Sequence, residues 1–150
     1  MPVQAMHPQC VPRLKNAMER NEMSRARQHI LVIEDNPQLG RFITVALQAA
    51  GWTTLGPIGD YAAALEATQA EPFDLALVDL ALSGKDCTPI ADAVMARSIP
   101  CLLMSGYSQS RLPERLRSLP FVAKPFTLEC LVDAARSALE GGTAAAAPPR

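Results

Sequence analysis

Residues 29–37 read HILVIEDNP. Four apolar residues, Ile30, Leu31, Val32 and Ile33, run into two adjacent carboxylates, Glu34 and Asp35, and Asn36-Pro37 follows at once. A short apolar run bounded by turn formers reads as a buried strand. Asn36 is a good helix N-cap and Pro37 a good first helical residue, so a helix opens directly behind the charges. Like charges a few Å apart repel unless something cationic lies between them. The pair is therefore either a solvated turn or the edge of a place that holds a metal ion.

The same grammar repeats along the chain. Apolar runs that read as buried strands are ILVI (30–33), FDLALVD (73–79) and IPCLLM (99–104), with shorter ones at TTLGPI (53–58) and FVA (121–123). Helical periods lie between them. Leu39, Phe42, Ile43, Ala46, Leu47 and Ala50 recur at helical spacing, and Gly51 supplies the stop. Asp60 caps YAAALEATQA, a further helix surrounds CTPIADAVMARS, and Thr127 caps a last one whose Leu128, Leu131, Val132, Ala135 and Leu139 share a face. Trp52, Tyr61 and Phe42 read as packing residues. Strand and helix alternating in this way predict an α/β domain, a doubly wound five-stranded parallel sheet covered on both faces, over residues 29–140. Residues 1–28, with three early prolines and mixed charge, read as a flexible extension or marginal helix, and GGTAAAAPPR (141–150) as a disordered tail.

The bulk properties exclude several classes. The chain has 150 residues, 49% hydrophobic and 19% charged, with a net charge of −1, so neither nucleic acid nor a membrane surface is an indicated partner. The basic excess is confined to residues 1–28, where Arg13, Lys15, Arg20, Arg25 and Arg27 outnumber Glu19 and Glu22. Cys10, Cys87, Cys101 and Cys130 show no metal-binding spacing. Cys87, Cys101 and Cys130 lie in apolar surroundings and read as small core residues, which suits a reducing cytoplasm. No apolar run reaches the roughly 18 residues that a membrane span needs.

In an open parallel sheet, ligands bind beyond the carboxyl ends of the strands. Here those ends carry Glu34-Asp35 on the first strand, Asp79 on the third, Ser105 on the fourth and Lys124 on the fifth. Taken singly, each has an ordinary reading as a turn, a cap or a surface lysine. Together they place three carboxylates, a hydroxyl and an ammonium on one edge. The surplus negative charge calls for a hard divalent cation, and Mg²⁺ prefers a few carboxylates, carbonyls and retained waters. Asp35 and Asp79 are the direct-ligand candidates, Glu34 acts through water, and the backbone carbonyl of Ala81 can add another. There is no Gly-rich phosphate loop. A carboxylate beside Mg²⁺ and a lysine can itself accept a phosphoryl group.

With IEDN, the Asp that ends LALVD, the Ser that ends strand four and KPF in this order, the chain resembles the receiver domains of two-component response regulators. That resemblance implies a chemotaxis-protein-like flavodoxin fold of strand order 2-1-3-4-5. It implies Asp79 as phosphoacceptor, Glu34 and Asp35 as the Mg²⁺ nest, Ser105 as hydrogen-bond donor to the phosphoryl group and Lys124 as its counter-charge. Phe121 matches the aromatic switch position, Gly106 leaves a gap for the phosphodonor, Tyr107 gates or shields the site, and Lys124–Pro125 is the bond often cis in the family. The implied partners are a sensor histidine kinase or a histidine phosphotransfer protein, and a downstream protein. SQSRLPERLRSLP (108–120), with Pro113 and Pro120, predicts a short or degenerate fourth helix. PCLLMSGY (100–107) also resembles a relaxed PFxFATGY motif of the single-domain receivers called FAT GUY, and with only the tail after residue 140 the expectation is a stand-alone receiver.

Two other functions fit parts of the pattern. A Mg²⁺-dependent phosphotransferase or phosphatase of the haloacid dehalogenase type also uses a strand-end Asp, but it wants a second carboxylate two residues on, where this chain has Ala81. A phosphorylation-independent scaffold needs only the fold, and the complete acceptor set argues against it. The expectation is a signalling module rather than an enzyme.

Overall fold

The computed structural model describes residues 28–70 and 72–141. The expected extension (all but Gln28) and the tail from residue 142 lie outside the described residues. Five parallel strands form the sheet: β1 (His29–Ile33), β2 (Thr53–Ile58), β3 (Leu75–Asp79), β4 (Cys101–Ser105) and β5 (Phe121–Ala123), in the order β2-β1-β3-β4-β5. Every neighbouring pair in this sheet is parallel. The helices are α1 (Pro37–Ala49), α2 (Tyr61–Ala70), α3 (Thr88–Ala96) and α4 (Leu128–Gly141).

The inner strands are apolar at nearly every position because both faces of the sheet are covered. Successive side chains alternate between faces. Ile30, Val32, Leu75, Leu77, Leu102 and Met104 point into the core beneath α1 and α4. Leu31, Ile33, Ala76, Val78, Cys101 and Leu103 point into the core beneath α2 and α3. Ile30 to Ile33 are all fully buried. At roughly 1.5–3 kcal/mol for each large aliphatic side chain removed from water, this one strand is a major term in the stability of the domain.

The predicted caps form. Asn36 Oδ1 accepts from Leu39 N at 3.0 Å, Asp60 Oδ2 from Ala63 N at 2.9 Å, and Thr127 Oγ1 from Cys130 N at 3.1 Å. Two packing expectations fail. Phe42 is 52% exposed, because the face of α1 that meets the sheet centres on Gly40, Ile43, Thr44 and Leu47. Cys130 is also exposed: α4 turns Leu131, Ala135 and Ala138 inward and carries Cys130 on its outer side. Cys87 and Cys101 are buried as expected.

No α-helix forms between β4 and β5. Two single 3₁₀ turns, Gln109–Arg111 and Glu114–Leu116, take that place on either side of Pro113, which has no N–H to continue a helix. The segment is nevertheless anchored. Leu112 and Leu116 are buried in the α2/α3-side core, and Arg115 makes a two-pronged pair with Asp92 on α3 at 2.9 and 2.8 Å.

Candidate functional site

The five residues expected at the sheet edge do converge. The parallel register sets Asp79 opposite Met104 and Ser105 opposite Ala123, so that the last residues of β3 and β4 and the residue after β5 reach one rim. Lys124 N donates to Ser105 O at 2.8 Å, tying the fifth strand's end to the fourth's. Directly after β1, Glu34 N donates to Ile58 O at 3.0 Å before the chain turns into α1.

Lys124 Nζ lies between two carboxylates, 3.1 Å from Glu34 Oε1 and 3.0 Å from Asp79 Oδ2. Glu34 and Asp79 are 3% and 4% exposed, which makes this a buried triad. The other oxygen of Glu34 accepts from Asn36 N at 3.1 Å, and Asp79 Oδ1 accepts from Ala81 N at 3.1 Å. Asp35 is held elsewhere: its Oδ2 accepts from Ser83 N at 2.7 Å. Glu34, Asp35 and Asp79 each offer a carboxylate oxygen within 4.8 Å of the others. Three carboxylates against one ammonium leave a net charge near −2 in a mostly buried space, the donor set that a hard divalent cation satisfies.

The titrations reflect this crowding. Burial pushes the Glu34 carboxyl up from its ordinary value, the Asn36 N–H opposes this, Asp79 adds to it and Lys124 opposes it; the net direction is upward. For Lys124, burial disfavours the charge, but the hydrogen bond and charge of Asp79, and then those of Glu34, outweigh it and raise the ammonium's pKa.

Ser105 is 2% exposed, and its Oγ accepts from Tyr107 N at 2.9 Å. A cavity of about 520 Å³ opens beside it, lined by Ala81, Lys85, Ser105, Tyr107, Arg111 and Leu112 among others. Tyr107 is 58% exposed, with the Arg111 guanidinium 5.1 Å from its ring centroid. A Cβ placed on Gly106 would meet no atom within 4 Å, so the opening there does not depend on the glycine. Phe121 is half-buried against the α2/α3-side core, and the Lys124–Pro125 bond is cis.

Sequence reasoning did not find two features. The first is a short antiparallel hairpin directly after β3, Ala81–Leu82 against Lys85–Asp86. Its two central residues both have positive φ, 52° at Ser83 and 79° at Gly84, as a type I′ turn requires. The Ser-Gly dipeptide was the available signal. The second is the contact from that turn to Asp35, 48 residues away, for which the sequence holds no signal.

A parallel sheet wound in this order, with an acidic nest and a lysine at the carboxyl edge, defines a class. The chain belongs to the response regulator receiver domain family, whose model matches residues 30–136. Among curated relatives it is similar to the DNA-binding response regulator MtrA of Mycolicibacterium smegmatis, 31% identical over 121 residues covering 78% of this chain and 53% of the relative. It is also 30% identical over 125 residues to the transcriptional activator protein IrlR of Burkholderia pseudomallei, covering 77% and 52% of the two chains. The chain thus spans about half the length of these relatives. Among solved structures, SdrG from Sphingomonas melonis Fr1 aligns with a TM-score of 0.65 at 32% identity, covering 77% of this chain and 98% of that one. The non-phosphorylated HemR receiver domain from Leptospira biflexa aligns with a TM-score of 0.66 at 21% identity over 75% and 94%, which speaks to fold alone. Membership places the chain among the phosphoacceptor modules of two-component signalling, which interact with histidine kinases or phosphotransfer proteins. Among the described residues no helix is long and apolar enough to cross a membrane.

Proposed function

We propose that Asp79 is the phosphoacceptor and that its phosphorylation, from a sensor histidine kinase or a histidine phosphotransfer protein, requires Mg²⁺. The observation that carries this reading is the Lys124 ammonium held between Glu34 and Asp79, 3.1 and 3.0 Å away, with Asp35 completing the nest. Asp35, Asp79 and the Ala81 carbonyl would hold the ion directly, and Glu34 would hold it through water. When bound, the ion supplies positive charge against the phosphoryl oxygens.

The chain's own residues then divide the work. An Asp79 oxygen attacks phosphorus as the bond to the donor histidine nitrogen breaks, and the proton stays with the leaving imidazole. Lys124 Nζ stays beside Asp79 as counter-charge to the transferred group. Ser105 Oγ donates to a phosphoryl oxygen, and its lone pairs still accept from Tyr107 N. The donor reaches Asp79 past Gly106 and the cavity beside Ser105. Phe121, Tyr107 and the cis Lys124–Pro125 turn frame the surface that changes, and a downstream protein in the cytoplasm reads it. Output through a protein contact suits a chain with a net charge of only −1. Incubation with Mg²⁺ and a small acyl phosphate, followed by intact-mass analysis, tests the reading. A gain of about 80 Da, one phosphoryl group, is expected. Continuous hydrolysis of the acyl phosphate without an adduct would point to an enzyme, and no change would refute the assignment.

A further inference from the structure

The mechanism leaves Ser83 unused, yet it makes the closest contact to a proposed cation ligand. Its N–H donates to Asp35 Oδ2 at 2.7 Å and its Oγ lies 3.4 Å from the same oxygen. No other hydrogen bond reaches the Asp35 carboxylate among the described residues. Gly59 also closes on the backbone of Asp35, where a Cβ would come within 3.0 Å of Asp35 Cα. Asp35 is thus in close contact with both a glycine and a turn.

The conformation of the turn makes this informative. Ser83 has φ 52°, a region disfavoured for any residue with a Cβ, whereas its neighbour Gly84 at φ 79° is free of that strain. A glycine would be cheaper at residue 83 as well. The strained residue is the one whose hydroxyl is directed at Asp35, and an observed outlier of this kind is a pointer to function.

We propose that Ser83 is a positioning residue for the divalent cation. Its N–H and hydroxyl hold one oxygen of Asp35 and leave the other free for the ion. This rests on the reading of the acidic nest as a Mg²⁺ site. Hydrogen-bonded partners that orient a ligating carboxylate typically change metal affinity by about 10–100-fold when removed. Ser83→Gly keeps the N–H and loses only the more distant hydroxyl, so its effect falls at or below the bottom of that range.

The test is calorimetric titration of Mg²⁺ alone into the full chain and its variants, alongside their melting temperatures. Ser83→Gly should bind Mg²⁺ about three- to tenfold more weakly while melting at the same or a higher temperature, because turn strain is relieved. A merely structural role would move both in one direction. Ser83→Asn, which tolerates positive φ and keeps a side-chain donor, should recover most of the affinity. Wild-type affinity in Ser83→Gly overturns the proposal and leaves the cation site standing. Absence of Mg²⁺ binding by the unaltered chain overturns both, and the two failures are told apart by that arm. Amide exchange on the unaltered chain adds a check that does not depend on any variant folding. The Ser83 amide should be protected without Mg²⁺ and stay protected with it. Protection lost on adding Mg²⁺ would mean that ion and turn compete for Asp35, contrary to the proposal.

Discussion

Replacing Lys124 with methionine removes a charge while keeping most of the side chain's bulk, and its consequences can be worked out from the triad. Glu34 and Asp79 are almost fully buried, and Lys124 Nζ is the cation between them. Without it, carboxylate oxygens within 4.8 Å of one another repel by about 3.5 kcal/mol or more at an effective dielectric of about 20. The protein can escape by protonating Glu34. From the ordinary value of 4.5 that costs about 3.4 kcal/mol at neutral pH, and this is an upper bound, because the folded carboxyl is already raised. The cheaper route caps the penalty, so Lys124→Met should be destabilised by at most about 3 kcal/mol near pH 7 without Mg²⁺, a fall in Tm of no more than about 10 °C.

Two dependences identify the cause. The protonation cost falls by about 1.4 kcal/mol per pH unit, so the deficit should shrink steadily toward pH 5. Millimolar Mg²⁺ should also shrink it, because a divalent ion replaces the lost cation. On the alkaline side the sign is set by Lys124's raised pKa. Its stabilisation is fully present below its ordinary 10.5 and lost as pH rises through the higher folded value, so the wild-type and variant curves approach each other there too. Urea unfolding at several pH values, with EDTA or with Mg²⁺, measures all of this. A deficit that stayed flat with pH and indifferent to Mg²⁺ would refute the electrostatic account.

Asp79→Asn should abolish the mass gain from an acyl phosphate while leaving the circular dichroism spectrum unchanged, since an amide of nearly equal volume is a poor nucleophile. Asp35→Ala should weaken Mg²⁺ binding more than Glu34→Ala, a direct ligand against a water-mediated one; equal affinities by calorimetry would count against that division. Among the described cysteines, only Cys130 should be alkylated in the native protein near pH 8. Cys101 is fully buried, its thiol pushed up to about 12 by burial and then by Asp92, and Cys87 is buried and raised as well, so neither presents a thiolate. Peptide mapping of the iodoacetamide product decides this. Phosphorylation or beryllofluoride should alter amide exchange chiefly across residues 106–120, where two short 3₁₀ turns replace a helix, and Ser105→Ala should blunt the change. Changes confined to α1 and α4 would sink this route.

Much of the domain is written in local chemistry. Apolar runs of four to six residues, the caps at Asn36, Asp60 and Thr127, and the prolines at 113 and 120 are local signals, and they determined the strands, the helix starts and the degenerate helical segment between β4 and β5. The identity of the site was legible for a related reason. In a parallel sheet every strand delivers its last residue to the same edge, so the order Glu34-Asp35, Asp79, Ser105, Lys124 is also a spatial grouping. Periodicity was a weaker guide to burial. It places Phe42 and Cys130 near an apolar face, but which flank of a helix meets the sheet depends on how the helix rolls against its neighbours. Only the tertiary structure decided that, and it left both residues in solvent. It also decided how the paired charges at Glu34 and Asp35 are accommodated. One turns to Lys124, 90 residues away, and the other to the Ser83 amide. Such partners depend on the relative positions of three strand ends and a turn with positive φ, and no spacing along the chain encodes those positions.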